Sequence, residues 1–301
     1  MKVNSLGLRL SKWMMTHNDK KLKANQELPN VERAFWDTAF DADSRDDQKC
    51  DIYLADKPNG ITIIDIHGGA YIYSNRKNNA AFAKIWLDKG FNVVLLDYRL
   101  NNGKIECHDQ LKDLAREIVG VYKLGKCEEP WFDPEKLVLT GDSAGGHFAL
   151  WLAEAMCDES IAKKAGIDLE GAKVKCVAVN CPVYDLLKIV KDDNMTKGAK
   201  KYMLGKRALD LDYQAEIDPR TNINGLRVPV FVSSCRNDFL QEHALFLTQD
   251  MDKMGKPIEF MFLKDEDPNV AHVHNVIRLD LDASKRVNDA MEQFFLKNCE
   301  K

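Results

Sequence analysis

The sequence predicts an α/β protein: a mostly parallel, doubly wound sheet with helices on both faces and a small helical cap. Two observations carry that prediction. Short apolar runs rich in β-branched residues alternate with segments of helical period, the pattern of strands joined by crossover helices. The runs are short and continuous rather than strictly alternating, as expected of strands covered on both faces. A third observation supplies the cap: residues 184–225 are charged, hold helical pieces and lack a strand.

Taken in order, Leu6, Leu10, Trp13 and Met14 fall at helical spacing, so a short amphipathic helix over 5–16 is expected within an N-terminal helical segment at 1–40. So short a stripe reads better as a helix packed on the body of the protein than as a membrane-surface anchor. After a polar stretch from Asp41 to Lys49, strands are predicted at 61–66, 92–96, 137–140, 174–180, 228–233 and 258–263. Pro229 falls near a strand start, where a missing N–H is tolerated. Helical period appears in Leu111, Leu114, Ile118 and Tyr122, then in Phe148, Leu152 and Met156. It returns in Leu240, Ala244, Leu247 and Met251, and finally in Val287, Met291, Phe294 and Phe295. The insertion at 184–225 separates two strands of what reads as a single domain, placed to lie over the strand ends.

Composition excludes several classes of function. The 301 residues, 45% hydrophobic, suffice for one sizeable core. A net charge of −4 gives no global field for nucleic acid or anionic membranes. Lys197, Lys200, Lys201, Lys206 and Arg207 bunch together, but Asp210, Asp212 and Glu216 follow at once, as on a solvated helical face. No run is long enough to span a bilayer, and the N-terminus lacks the apolar core of a secretory signal. Eight cysteines are scattered with no C-x-x-C pair, several inside apolar runs, which suits buried thiols in a reducing, cytoplasmic setting.

The chemistry is concentrated after predicted strands. Gly141-Asp142-Ser143-Ala144-Gly145 sits between a strand and a helix-like run. Glycines on either side let the chain turn tightly enough to expose a serine, and the following helix points its positive end at the hydroxyl. A G-x-S-x-G match arises by chance in about one 300-residue chain in ten, so its placement matters more than the match. His67-Gly68-Gly69-Ala70-Tyr71 follows the strand at 61–66. Backbone N–H groups of Gly68, Gly69 and Ala70, with that of Ala144, are candidate oxyanion donors.

A serine needs a base, and the base needs an orienting acid. Asp238 follows the strand at 228–233, although it also suits the start of the helix near Leu240. The loop after 258–263 holds Asp265, Glu266, Asp267, His272 and His274. In an extended segment His272 and His274 share a side, so spacing leaves both open as the base. His17, His67, His108, His147 and His243 fit less well, and no H-E-x-x-H spacing suggests a metal. Tyr71, Tyr73 and Tyr184 are candidate pocket residues.

His67-Gly-Gly-Ala-Tyr71, Asp97-Tyr-Arg-Leu100, Gly141-Asp-Ser-Ala-Gly-Gly146, Asp238 and Ala271-His-Val-His-Asn275 together resemble the hormone-sensitive-lipase-like branch of the α/β-hydrolases, which includes carboxylesterases and acetyl esterases. The resemblance runs from about residue 60 to the C-terminus. It implies an α/β-hydrolase fold with Ser143 as nucleophile, Asp238 as acid and a base commonly followed two residues later by an aromatic. That alignment puts the base at His272, with His274 in the aromatic's place. Ala70 stands where a third glycine is common, and a backbone donor survives that change.

The expected reaction is hydrolysis of short-chain acyl esters through an acyl-enzyme, with a small-molecule ester as partner and no cofactor or metal. The charged insertion offers little to line a long acyl channel. Amide hydrolysis by the same residues, as in formamidases or peptidases, is the near alternative; a non-catalytic ligand-binding module is the distant one. Assembly into a homo-oligomer is left open by the sequence.

Overall fold

The computed structural model describes residues 6–10, 12–13, 16–17, 26–40, 44–128 and 130–300. Their centre is an eight-stranded sheet in the order β1-β2-β4-β3-β5-β6-β7-β8. The strands are β1 (Arg33–Thr38), β2 (Cys50–Leu54), β3 (Thr62–Ile66), β4 (Asn92–Leu96), β5 (Leu137–Asp142), β6 (Val177–Asn180), β7 (Val230–Cys235) and β8 (Ile258–Leu263). β1 pairs with β2, and β2 with β4, antiparallel; every later pairing is parallel.

Helices cover both faces. One face takes α1 (Ala80–Asp88), through Phe82 and Trp86, and α11 (Asp282–Cys299), through Val287, Met291, Phe294 and Phe295. The other takes α2 (Cys107–Leu124), α3 (Ala144–Cys157) and α9 (Gln241–Lys253). The residues at helical period turn inward as amphipathic helices require: Leu111, Leu114 and Ile118 in α2, and Ala244, Leu247 and Met251 in α9.

The chain forms α4 (Glu159–Lys164) before β6, and between β6 and β7 it forms α5 (Leu186–Lys191), α6 (Lys197–Leu204), α7 (Leu211–Glu216) and α8 (Pro219–Asn222). The helices after β6 are tied to α3. His147 Nε2 donates to Ile217 O at 2.6 Å, and Trp151 Nε1 donates to Glu216 O at 2.9 Å. The short α10 (His274–Ile277) precedes α11.

The N-terminal region departs from expectation. The segment read as helical through residue 40 contains β1, an edge strand whose residues are exposed or half-buried. Residues 6–10, 12–13 and 16–17 are helical, but Leu6, Leu10 and Trp13 face solvent. Leu8 packs on the core instead, and Arg9 lies over the Tyr202 ring of α6. Met14 and residues 18–25 lie outside the described residues.

Candidate active site

Four loops at the carboxyl ends of β3, β5, β7 and β8 meet at one place, where doubly wound sheets bind their ligands. The loop after β5 is a single strained residue. Ser143 has φ 54° and ψ −117°, and it separates the last strand residue, Asp142, from the first helix residue, Ala144. Its N–H bonds Asn180 O at 2.9 Å and its carbonyl accepts Val183 N–H at 3.1 Å, so both neighbours hold the turn. A Cβ on Gly145 would collide with the carbonyls of Ile66 and His67, which is why this position must be glycine.

The loop after β8 is set by pairing across from the loop after β7. Asn237 forms a parallel bridge with Ala271, and its side chain donates to Asp267 O and Val270 O at 3.2 and 3.1 Å. That register brings the next residue of each segment together. His272 Nδ1 and Asp238 Oδ1 are 2.7 Å apart, and His272 Nε2 is 3.0 Å from Ser143 Oγ. Because a carboxylate only accepts, Nδ1 carries the hydrogen and Nε2 is left to accept from the hydroxyl. Asp238 also accepts from Ser234 Oγ at 2.7 Å and from Leu240 N–H at 2.9 Å, the latter an Asx-turn leading into α9. Burial pushes the Asp238 carboxyl up, but the bond and charge of His272, with Ser234 and Leu240, outweigh it and hold the group below its ordinary range.

His274 goes elsewhere. The segment is not extended: Val273 adopts the left-handed conformation, φ 53° and ψ 28°, and reverses the chain between the two histidines. His274 is buried against α11 with Nδ1 2.9 Å from Ser284 Oγ, and burial lowers its pKa to about 4.

The glycine loop after β3 turns on Gly69, φ 114°, where a Cβ would strike Tyr73 O. Ala70 and Tyr71 follow with φ 50° and 66°. Among the described residues the N–H groups of Gly69 and Ala70 meet no protein acceptor. Gly68 drops out of the expected donor set, because its N–H is committed to Asp142 Oδ1 at 3.1 Å. Tyr71 and Tyr184 are core residues rather than pocket walls. Tyr71 OH meets His147 Nδ1 at 2.9 Å, and Tyr184 OH donates to Asp250 Oδ2 at 3.2 Å. Tyr73 is half-buried beside the loop.

Sequence reasoning left several contributors unnamed. Asp142 joins the nucleophile turn to the glycine loop, and Asn79 Nδ2 donates to both Asp142 Oδ1 and Asp65 Oδ2, at 3.1 and 2.8 Å. Behind the loop, His67 Nε2 faces Asp97 Oδ1 at 3.2 Å while Nδ1 faces Gly68 O at 2.7 Å. Arg76 binds Asp97, Asp51 and Asp37, and Tyr98 OH donates to His67 O at 2.9 Å. Phe239, 76% exposed, lays its ring 4.2 Å from the His272 ring. Cys181 Sγ accepts the Val273 N–H at 3.3 Å. The Asp-Tyr-Arg-Leu motif was one available signal for the Asp97 cluster.

Sheet order, strained serine turn and surrounding loops define an α/β-hydrolase. The chain belongs to the BD-FAE family, whose model matches residues 50–244. Among curated proteins it is similar to the non-reducing polyketide synthase Preu3 of Preussia isomera, 33% identical over 119 residues, which is 36% of this chain and 5% of that protein. It is also similar to the carboxylesterase/phospholipase LipF of Mycobacterium tuberculosis, 29% identical over 161 residues, 50% of this chain and 36% of that one. The chain therefore spans well under two thirds of either relative. In fold it matches esterase B from Lactobacillus rhamnosis with a TM-score of 0.87 and 22% identity, covering 97% of this chain and 96% of the other.

Proposed function

We propose that this protein is a serine carboxylic-ester hydrolase acting on short-chain acyl esters. The observation that carries the reading is the unbroken line from Asp238 through His272 to Ser143, at 2.7 and 3.0 Å. Nε2 takes the Ser143 proton as Oγ attacks the ester carbonyl, and Asp238 stabilises the imidazolium that forms. The N–H groups of Gly69, Ala70 and Ala144 receive the oxyanion. The proton then passes from Nε2 to the departing alcohol, and water releases the acid by the reverse use of the same groups. A relative named a carboxylesterase, and the shared fold of esterase B, support an ester over an amide.

The helices at 186–225 serve as a cap over the strand ends, and their charged surface favours small acyl groups. Among the described residues no helix is long and apolar enough to cross a membrane, and the buried thiols suit a cytoplasmic protein. The test is hydrolysis of p-nitrophenyl esters from acetate to decanoate by wild type and Ser143→Ala. Short chains should be preferred, and the variant should lose about 10⁴-fold or more in kcat/KM. A variant as active as the wild type ends the proposal.

A further inference from the structure

Cys181 stands beside the three residues just described and has no part in acyl transfer. It follows β6 directly with φ 47°, and its N–H bonds Ser233 O at 2.8 Å. Its thiol is thereby held against the base loop, where it accepts the Val273 N–H. The sulfur, a carboxylate oxygen of Asp238 and a ring nitrogen of His272 all lie within 4.8 Å of one another. Cys181 and Asp238 are buried, while the His272 side chain is 19% exposed and leaves an edge open to solvent.

We propose that Cys181, Asp238 and His272 form a binding site for a soft divalent cation of the zinc or cadmium type, and that occupancy switches the hydrolase off. Thiolate, imidazole and carboxylate are the donors such ions prefer, whereas magnesium and calcium take oxygen sets. Bonds of about 2.0–2.3 Å at tetrahedral angles put donors roughly 3.3–3.8 Å apart. The Nδ1–Oδ1 contact must therefore open by about 1 Å or less, and the sulfur must draw in by up to about 1.5 Å.

The thiol gives its proton to solvent and its sulfur lone pair to the cation. Nδ1 gives up its hydrogen and binds the cation through the freed lone pair, while Nε2 gains one, so the ring stays neutral. One proton is released per ion bound. With a hydrogen on Nε2, His272 cannot accept the proton of Ser143, and the nucleophile stays unactivated. The inhibition rests on the triad reading of the previous subsection; the binding does not.

The experiment titrates Cd²⁺ into the full chain and follows the ultraviolet thiolate-to-cadmium charge-transfer band, with Zn²⁺ as competitor. In parallel, a fluorophosphonate probe reports the reactivity of Ser143 at each metal concentration. Wild type should show a saturable band, and labelling should fall as the band grows. Cys181→Ala and Cys181→Ser should bind at least about 10–100-fold more weakly, already the loss typical for groups that merely orient a ligand, and their labelling should resist metal. Ser143→Ala and Cys127→Ser, the latter lacking an exposed thiol, should keep the band. No saturable band in wild type, or an unchanged band in both Cys181 variants, overturns the proposal. If thermal unfolding shows that the Cys181 variants do not fold, His272→Ala takes their place, and unchanged Cd²⁺ binding there overturns it equally. Absence of labelling in metal-free wild type would instead sink the hydrolase reading while the band still judges the site.

Discussion

The His272–Asp238 pair of the base loop and the His67–Asp97 pair behind the glycine loop use the same two side chains to opposite ends. His272 places one nitrogen on a carboxylate and the other on a hydroxyl, which can give it a proton. His67 places both nitrogens on oxygens that only accept, Asp97 and the Gly68 carbonyl. It has no lone pair facing a proton donor. Its surroundings also differ: Tyr98 stacks on it at 4.3 Å, and Asp97 is shared with Arg76. A histidine–aspartate contact is therefore no sign of catalysis by itself; what the second nitrogen faces decides the role.

The largest break in this comparison should come from His272→Ala, with kcat/KM on the best p-nitrophenyl ester falling by about 10⁴-fold or more. Asp238 keeps Ser234 and Leu240 as partners, so the unfolding free energy should move by under about 1 kcal/mol. Steady-state kinetics with chemical denaturation checks both halves, and a large loss of stability would contradict the contrast. Next comes Arg76→Met, which leaves Asp51 and Asp97 buried without their cation. A loss of about 3–5 kcal/mol is expected, read as a lower denaturant midpoint at unchanged slope.

His67→Ala should mix the two phenotypes. Losing its contacts to Asp97 and Gly68 O is expected to cost about 1–3 kcal/mol. Loosening of the glycine loop should slow turnover by up to about 10²-fold. A variant with intact stability and a His272-sized kinetic loss would assign His67 a direct catalytic part. The smallest effect is a pH dependence on the same side of the site. Burial, with the charge of Asp142, lifts the Asp65 carboxyl to about 7. The folded protein then keeps a proton that the unfolded chain loses near its ordinary carboxylate range. Stability contributed by this group is present at low pH and declines as pH rises toward about 7, then levels. Asp65→Asn should remove that decline, gaining about 2–3 kcal/mol on wild type between pH 5 and pH 8. Parallel denaturation curves at the two pH values measure it, and an equal gap at both would refute the assignment.

The parts of the fold legible in sequence are those whose apolar pattern is long enough to outlast a single polar residue. β4 and β8 are read to the residue, and β3 within one residue, because each predicted run holds at least four consecutive residues that are apolar or β-branched, beside a single polar one (Asn92, Glu259 and Asp65). β2 escaped because Asp51 leaves only Ile52, Tyr53 and Leu54 as its apolar run, and that charge is balanced by Arg76, far along the chain, at 2.9 Å. α1 escaped because it is buried on most of its surface and so carries little helical period. β1 was masked by a helical reading of its neighbourhood, and among the described residues its only sheet partner is β2. In the site, motif placement named Ser143, Asp238 and His272, but spacing left His274 equal to His272. The left-handed turn at Val273, held by Cys181, separates them.

Local chemistry in the chain dictated the α/β class, the strained serine turn and the glycine loop, because strands, glycines and a serine between strand and helix are read over a few residues. Which nitrogen meets which oxygen was decided in three dimensions. The Gly68 N–H was committed to Asp142, the two tyrosines went into the core, and Cys181 came to rest against His272 and Asp238. Those outcomes depend on contacts between residues far apart in the chain, made only when the strand ends converge, and no pattern along the chain encodes such distances.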